Sequence, residues 1–294
     1  MEAALDDPDL AVFLTWNVDR LPTYGPQVVA VVLGDESGRR PRYAGRVRAV
    51  FKAYGTHPAL TGLRPDLAGL VSLSQYGYRW LRWLWAAAPG AARASGRRGA
   101  CFSIPPGTFN QLDLPVTDIA TRHTDLFFAG SIEHGTARQG LASAKLRSRR
   151  EMLLAVGALQ RDRPRLRSEI RLTARFQESA DAAPEAYSRG LMDARVCLAP
   201  RGTSAETFRI LEGLRCGCVV VCESLPRRWF YAGAPLVRLR RWRDLPDRLS
   251  PLLDDPEALA DHHRRSLAWW QARCSEQAIG RYMAACLNGL SARA

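Results

Sequence analysis

Val196 to Cys222 reads VCLAPRGTSAETFRILEGLRCGCVVVC, and this stretch decides the fold. Val196–Ala199 is a short apolar run of the kind that forms a buried strand, and Pro200 closes it. A loop with Arg201 and Gly202 follows. Helical spacing then takes over from about Ser204 to Arg215, with Phe208, Leu211 and Leu214 on the apolar side. Thr203, with Glu206 three residues later, predicts a capping box that fixes the helix start. Val219–Cys222 is a second apolar strand. Strand, loop, helix and strand at this spacing make a βαβ unit, and βαβ units build parallel sheets.

The same alternation continues outward on both sides. Upstream lie a strand at Leu126–Ala129 ending in Gly130 and Ser131, a helix over Ala142–Leu159, a strand at Ile170–Ala174 and a helix over Pro184–Asp193 with proline at its start. Downstream, Leu236–Leu239 reads as a strand, and two helices follow from Pro256. The first half carries four more β-rich runs, at Val12–Thr15, Val28–Leu33, Val47–Phe51 and Cys101–Ile104. Between the halves, Pro105–Asp118 has three prolines and little periodicity, and reads as a linker. The expected organisation is an N-terminal domain over 1–118, a second domain over 119–270, and a C-terminal helix over 271–294 that packs back on the domains. A chain of 294 residues is long enough for two such cores.

Composition narrows the function classes. Hydrophobic residues at 47% and charged residues at 24% are the balance of a globular chain. The net charge of +13 invites a polyanion. Lys52 and Lys145 are the only lysines, however, so the basic residues are almost all Arg. With the abundance of Ala, Gly and Pro, this is the signature of a GC-rich, bacterial-type genome rather than of a partner. No nucleic-acid-binding module is recognisable, and none is expected. Seven irregularly spaced cysteines and an acidic start without an apolar leader point to a reducing cytoplasm. Cys216, Cys218 and Cys222 lack the paired spacing of a zinc site and no D-x-D is evident, so no metal and no cofactor are expected. Tyr76–Pro89 is too short and too often interrupted by Arg to span a bilayer; it reads as an amphipathic helix rich in Trp, for core packing, an acceptor wall or a peripheral membrane contact.

In open parallel sheets, ligands bind beyond the carboxyl ends of the strands, where helix N-termini offer free N–H groups to anions. The loop Arg201, Gly202, Thr203 and Ser204 occupies that position, and the Arg201 guanidinium suits phosphate oxygens. Arg209 and Glu212 lie three residues apart on one helix face. The residues alone leave two readings: a surface ion pair, or an Arg on a phosphate with a Glu accepting ribose hydroxyls.

The stretch resembles the signature of exostosin-like glycosyltransferases. The resemblance runs through Cys197–Gly202, through Thr207-Phe208-Arg209-Ile210-Leu211-Glu212-Gly213, and through Gly217-Cys218-Val219-Val220-Val221. Upstream, Asp125–Ser131 (DLFFAGS) is similar to the family's F-F-A-G strand and loop, and Arg147–Glu151 to the helix motif that follows it. The chain departs from the pattern at Ala199, Gly213 and Val220.

The resemblance implies an α/β GT-B fold, two Rossmann-like domains with parallel sheets facing a cleft. It implies a nucleotide-sugar donor, with UDP first among the nucleotides, bound by Gly130, Ser131, Arg201, Gly202, Thr203, Ser204, Arg209 and Glu212. The acceptor would be a hydroxyl of a natural product, a glycan or a lipid-linked intermediate. A retaining pattern would pair Glu212 with a second Glu eight positions earlier. Ser204 stands there instead, which implies inversion.

An inverting transfer needs a base for the acceptor hydroxyl. Asp35 and Glu36, in the GDE that follows Val28–Leu33, come first, and Asp19 after TWN second. GDE, Tyr43, VRAVFKAYG and IPPG resemble the N-terminal half of exostosin-related xylosyltransferases. His57 is a further candidate base and His134 a phosphate contact, while His262 and His263 read as structural. Two other classes remain: a catalytically silent nucleotide-sugar-binding relative, and a basic nucleic-acid-binding protein.

Overall fold

The computed structural model describes residues 5, 9–61, 67–86, 99–109, 112–132, 144–173 and 184–291. The chain divides into two α/β units, each built on its own parallel sheet. The first comprises 1–106, 228–230 and 272–294; the second comprises 107–227 and 231–271.

In the first unit, strands β1 (Ala11–Thr15), β2 (Gly25–Val32), β3 (Val47–Lys52) and β4 (Ala100–Ser103) pair in chain order, all parallel. The helix α1 (Leu67–Ala86) lies between β3 and β4 in sequence. β2 and β3 are buried on both faces, which is why they read as continuous apolar runs. Ala30, Val32 and Val50 turn to a cluster with Val18, Leu21 and Tyr43. Their neighbours Val29, Val31 and Phe51 turn to the opposite face, where Met283 and Leu287 of the C-terminal helix (Glu276–Ser291) cover them. That helix is part of the first unit.

In the second unit, strands β5 (Thr124–Ser131), β6 (Ser168–Thr173), β7 (Ala194–Ala199), β8 (Val219–Glu223) and β9 (Leu236–Leu239) pair in the order β6-β5-β7-β8-β9. Every pairing is parallel. The connecting helices are α2 (Ala144–Asp162), α3 (Pro184–Met192) and α4 (Phe208–Arg215), followed by α5 (Leu245–Leu253) and α6 (Pro256–Arg273). One face of the sheet packs Leu126, Phe128, Leu198 and Val221 against Met152 and Leu159 of α2 and against Trp242 and Leu249. On the other face α4 approaches closely. A Cβ on Gly213 would lie 2.7 Å from Val220 Cγ2 and 3.0 Å from Cys197 Cβ, so this departure from the exostosin-like pattern answers to helix–strand contact.

Two expectations need correction. Pro105–Asp118 is not a free linker, and the boundary between the units falls at 106/107 rather than 118/119. Phe109 N–H donates to Glu212, Leu112 N–H to Ser188 Oγ, and Thr117 Oγ1 to the Met192 carbonyl, while the buried Arg122 guanidinium donates to the Thr117 carbonyl. Hydrogen bonding thus ties this segment into the second unit despite its prolines. The helix expected from Ser204 begins four residues later. Ser204 Oγ accepts the Glu206 N–H, and this local turn competes with helical pairing; Thr207 then occupies the cap with extended backbone and no side-chain cap bond. α5 lies in a stretch the sequence reading does not assign; Pro246 sits in its first turn, where a missing N–H costs nothing. Residues 87–89 of the amphipathic run, and His134, lie outside the described residues.

Candidate functional site

The strand order of the second unit reverses between β5 and β7. Consecutive strands run outward in opposite directions from that point, so their connections cover opposite faces and leave a crevice at the carboxyl ends. Here the crevice is visible in the pairing. β5 and β7 pair from Thr124 and Ala194 up to Phe127 and Cys197 and no further, whereas β5 stays paired to β6 through Ser131. The ends of β5 and β7 therefore diverge, with Gly130 and Ser131 on one side and Pro200, Arg201 and Gly202 on the other.

Three cationic side chains meet at the end of β5. From α2, Lys145 Nζ donates to Ser131 Oγ at 3.1 Å, and Arg149 donates to the Ser131 carbonyl and, at 3.4 Å, to its Oγ. From α4, Arg209 donates to the Ala129 carbonyl. The two guanidinium carbons stand 5.8 and 5.0 Å from the Phe128 ring centre. Gly130 makes this approach compatible with the backbone, because a Cβ there would meet Arg209 Nη2 at 3.0 Å and Arg149 Nη1 at 3.5 Å. Lys145 and Arg149 are both buried, four residues apart on one face of α2.

On the β7 side, Arg201 N–H donates to Glu223 Oε2 at 3.2 Å, and Ser148 Oγ donates to the same oxygen at 2.5 Å. The loop is tightened by Gly202 N–H donating to the Ser204 carbonyl at 2.9 Å, while Thr203 is exposed. Glu212 overturns the surface-ion-pair reading. It is buried, its Oε1 accepts Phe109 N–H at 3.0 Å, and its Oε2 accepts the Tyr187 hydroxyl at 2.6 Å. Burial and the neighbouring carboxylate push the Tyr187 hydroxyl well above its ordinary pKa, so it stays a donor. As a ribose acceptor Glu212 is thus already engaged by two protein donors, and its observed work is to hold α3, α4 and the Phe109 segment together.

In the first unit, Asp35 does not look like a base waiting for a proton. It sits at φ 68°, its Oδ2 accepts Arg39 N–H at 2.9 Å and lies 3.2 Å from Lys52 Nζ, and Ser37 and Arg39 donate to Oδ1. Burial pushes its pKa up, but Lys52, the Ser37 and Arg39 hydrogen bonds and the Arg39 charge outweigh this and hold it below the ordinary carboxylate value. A carboxylate so stabilised is a weak base. Glu36 and Asp19 are exposed, and Asp19 lies 3.6 Å from Arg39 Nη1. His57 is exposed, and partial desolvation of its ring followed by the Arg228 charge lowers its pKa. His263 Nδ1 lies 2.9 Å from the Gly217 carbonyl, the structural place anticipated for it.

Sequence reasoning missed Lys145 and Arg149 as site residues, although the motif containing Arg149 was visible. A signal was present. In a chain whose basic positions are almost all Arg, the two lysines are both buried, and both reach acceptors at the end of a strand.

Among the described residues no group of three or more His, Cys, Asp or Glu is placed to hold a metal ion. Cys197, Cys218 and Cys222 are fully buried, and burial raises their thiol pKa values. No described helix is long and apolar enough to cross a membrane.

No family model and no curated protein matches the sequence. Among solved structures, similarity extends to a chain of the GtfA/B complex, at TM-score 0.46 and 11% identity over 90% of this chain and 58% of that one. It extends also to sucrose-phosphate synthase from Thermosynechococcus elongatus, at TM-score 0.45 and 15% identity over 91% of this chain and 74% of that one. A third is HepE of Anabaena, solved with UDP and glucose, at TM-score 0.44 and 12% identity over 89% of this chain and 92% of that one. The chain thus spans little more than half the length of the first of these.

Proposed function

We propose that this chain is a GT-B glycosyltransferase that takes a sugar from a nucleoside diphosphate sugar, UDP-linked in the first instance, and passes it with inversion to a hydroxyl acceptor. The observation that carries the reading is the meeting of Lys145, Arg149 and Arg209 at the end of β5, where β5 and β7 diverge. A parallel sheet presents ligands at this place, and three cations suit a diphosphate better than any neutral group. As the glycosidic bond to the donor breaks, charge develops on the departing diphosphate. Arg209 and Arg149 would stabilise it there. This arrangement asks for no metal.

The base is the second part of the proposal. Since Asp35 is held ionised by Lys52 and Arg39, Glu36 and Asp19 are the better choices for taking the acceptor proton. The engagement of Asp35 also favours one alternative, a relative that binds the donor without turning it over.

A thermal-shift and calorimetric screen of UDP, GDP and dTDP, followed by donor hydrolysis and an acceptor panel, separates the two. A selective nucleotide shift with turnover supports transfer. The same shift without turnover selects the silent relative, and no shift with any nucleotide contradicts both.

A further inference from the structure

The first turn of α4 carries an aromatic pair beside the three cations. Phe109 lies nearly parallel to Phe208, with ring centres 5.4 Å apart and an interplanar angle of 26°. Phe208 opens α4, and Arg209 follows it directly. At about 100° per residue, Phe208, Glu212 and Arg209 fall within one sector of about 100°, with Glu212 between the other two. Glu212 Oε1 accepts the Phe109 N–H, so the backbone that carries the ring is fastened to the same sector of the helix. Phe109 is nevertheless 44% exposed. Stacking on Phe208 takes one face of its ring, and much of the rest of the residue is open to solvent.

A ring that is both open and held in place is a preorganised platform, because little conformational freedom is left to lose when a flat partner covers it. It stands within one helical turn of Arg209, which meets Arg149 and Lys145 at the end of β5. Inorganic phosphate would use the cations alone. Cations and an open π-face at adjacent positions of one helix match the two ends of a nucleotide, its anionic diphosphate and its aromatic base.

We propose that Phe109 is the stacking platform for the nucleobase of the donor, with Phe208 backing the ring. The proposal rests on the reading of the β5 end as the diphosphate site and adds the group that holds the opposite end of the donor. It is tested by calorimetry of UDP and of pyrophosphate against the full-length wild type, Phe109→Leu and Phe109→Trp. Leucine keeps apolar bulk and leaves the backbone bond to Glu212 in place, so this variant should melt within about 5 °C of wild type. Phe109→Leu should weaken UDP about tenfold, the loss of one base–aromatic stack, and leave pyrophosphate within about twofold. Phe109→Trp offers a larger π-face and should keep UDP within about threefold of wild type. If Phe109→Leu binds UDP as wild type does, the platform is refuted while the diphosphate site stands. Equal losses of UDP and pyrophosphate would also overturn it, since the ring would then only support the cations. If wild type binds neither ligand, the diphosphate reading fails and the platform falls with it.

Discussion

Replacing Arg209 with Ala separates ligand binding from folding. In the structure Arg209 makes one hydrogen bond to the Ala129 carbonyl and lies over Phe128, beside two other cations. Losing the hydrogen bond costs about 1 kcal/mol, and losing the ring contact costs about 0.5–1 kcal/mol. Relief of like-charge repulsion offsets part of this, so the melting temperature should fall by no more than about 5 °C. A charge-assisted bond to a diphosphate oxygen contributes about 2 kcal/mol, so UDP should bind Arg209→Ala roughly thirtyfold more weakly. Arg209→Lys keeps the charge and loses the planar fork, and should fall between. Uridine, without phosphates, should bind both proteins alike. Calorimetry of UDP and uridine against the three proteins reads all of this. If folded Arg209→Ala keeps UDP affinity within about threefold of wild type, the three cations are not a phosphate site.

Three further expectations address the supports of the two units. Glu212→Ala should destabilise the second unit by about 2–4 kcal/mol in urea unfolding, because it strips the acceptor from both Phe109 N–H and the Tyr187 hydroxyl; a loss under 1 kcal/mol would show that the carboxylate does little for the fold. Gly213→Ala should cost about 1–3 kcal/mol in the same assay although alanine is the better helix former, since its Cβ would press on Val220 and Cys197. Asp35→Asn should cost about 3 kcal/mol at neutral pH by removing the carboxylate partner of buried Lys52. Asp35 has a folded pKa below its unfolded value, so its contribution is present above the unfolded value of about 3.8 and disappears as pH falls through the folded one. The gap between wild type and Asp35→Asn should therefore close below about pH 4, and a gap independent of pH would rule out the ion pair as its source.

Much of the architecture was readable because parallel strands buried on both faces are written as uninterrupted apolar runs, as in Val28–Val32 and Val219–Cys222. The order of those strands was not readable. It depends on which neighbours each run pairs with, and only the pairing shows that β5 and β7 flank the reversal. Strand ends and motif point to Gly130, Ser131 and Arg209, and the structure places the three together at the end of β5. Lys145 stands out in the sequence only as one of two lysines, and Arg149 only as part of Arg147–Glu151, because a basic residue on a helix in a chain this rich in Arg carries little information until its burial is known. For Glu212 and Asp35, sequence gives the charge of a carboxylate but not its partners from distant positions, Phe109 and Tyr187 for one, Lys52 for the other.

The most direct test of the donor site is a crystal structure of the full chain grown with UDP. The account predicts the diphosphate beyond Gly130 and Ser131, with its oxygens within about 3.2 Å of the Arg149 and Arg209 guanidinium groups. UDP ordered at any other strand end, with those two side chains still bonded to Ser131 and Ala129 and not to the diphosphate, would contradict it.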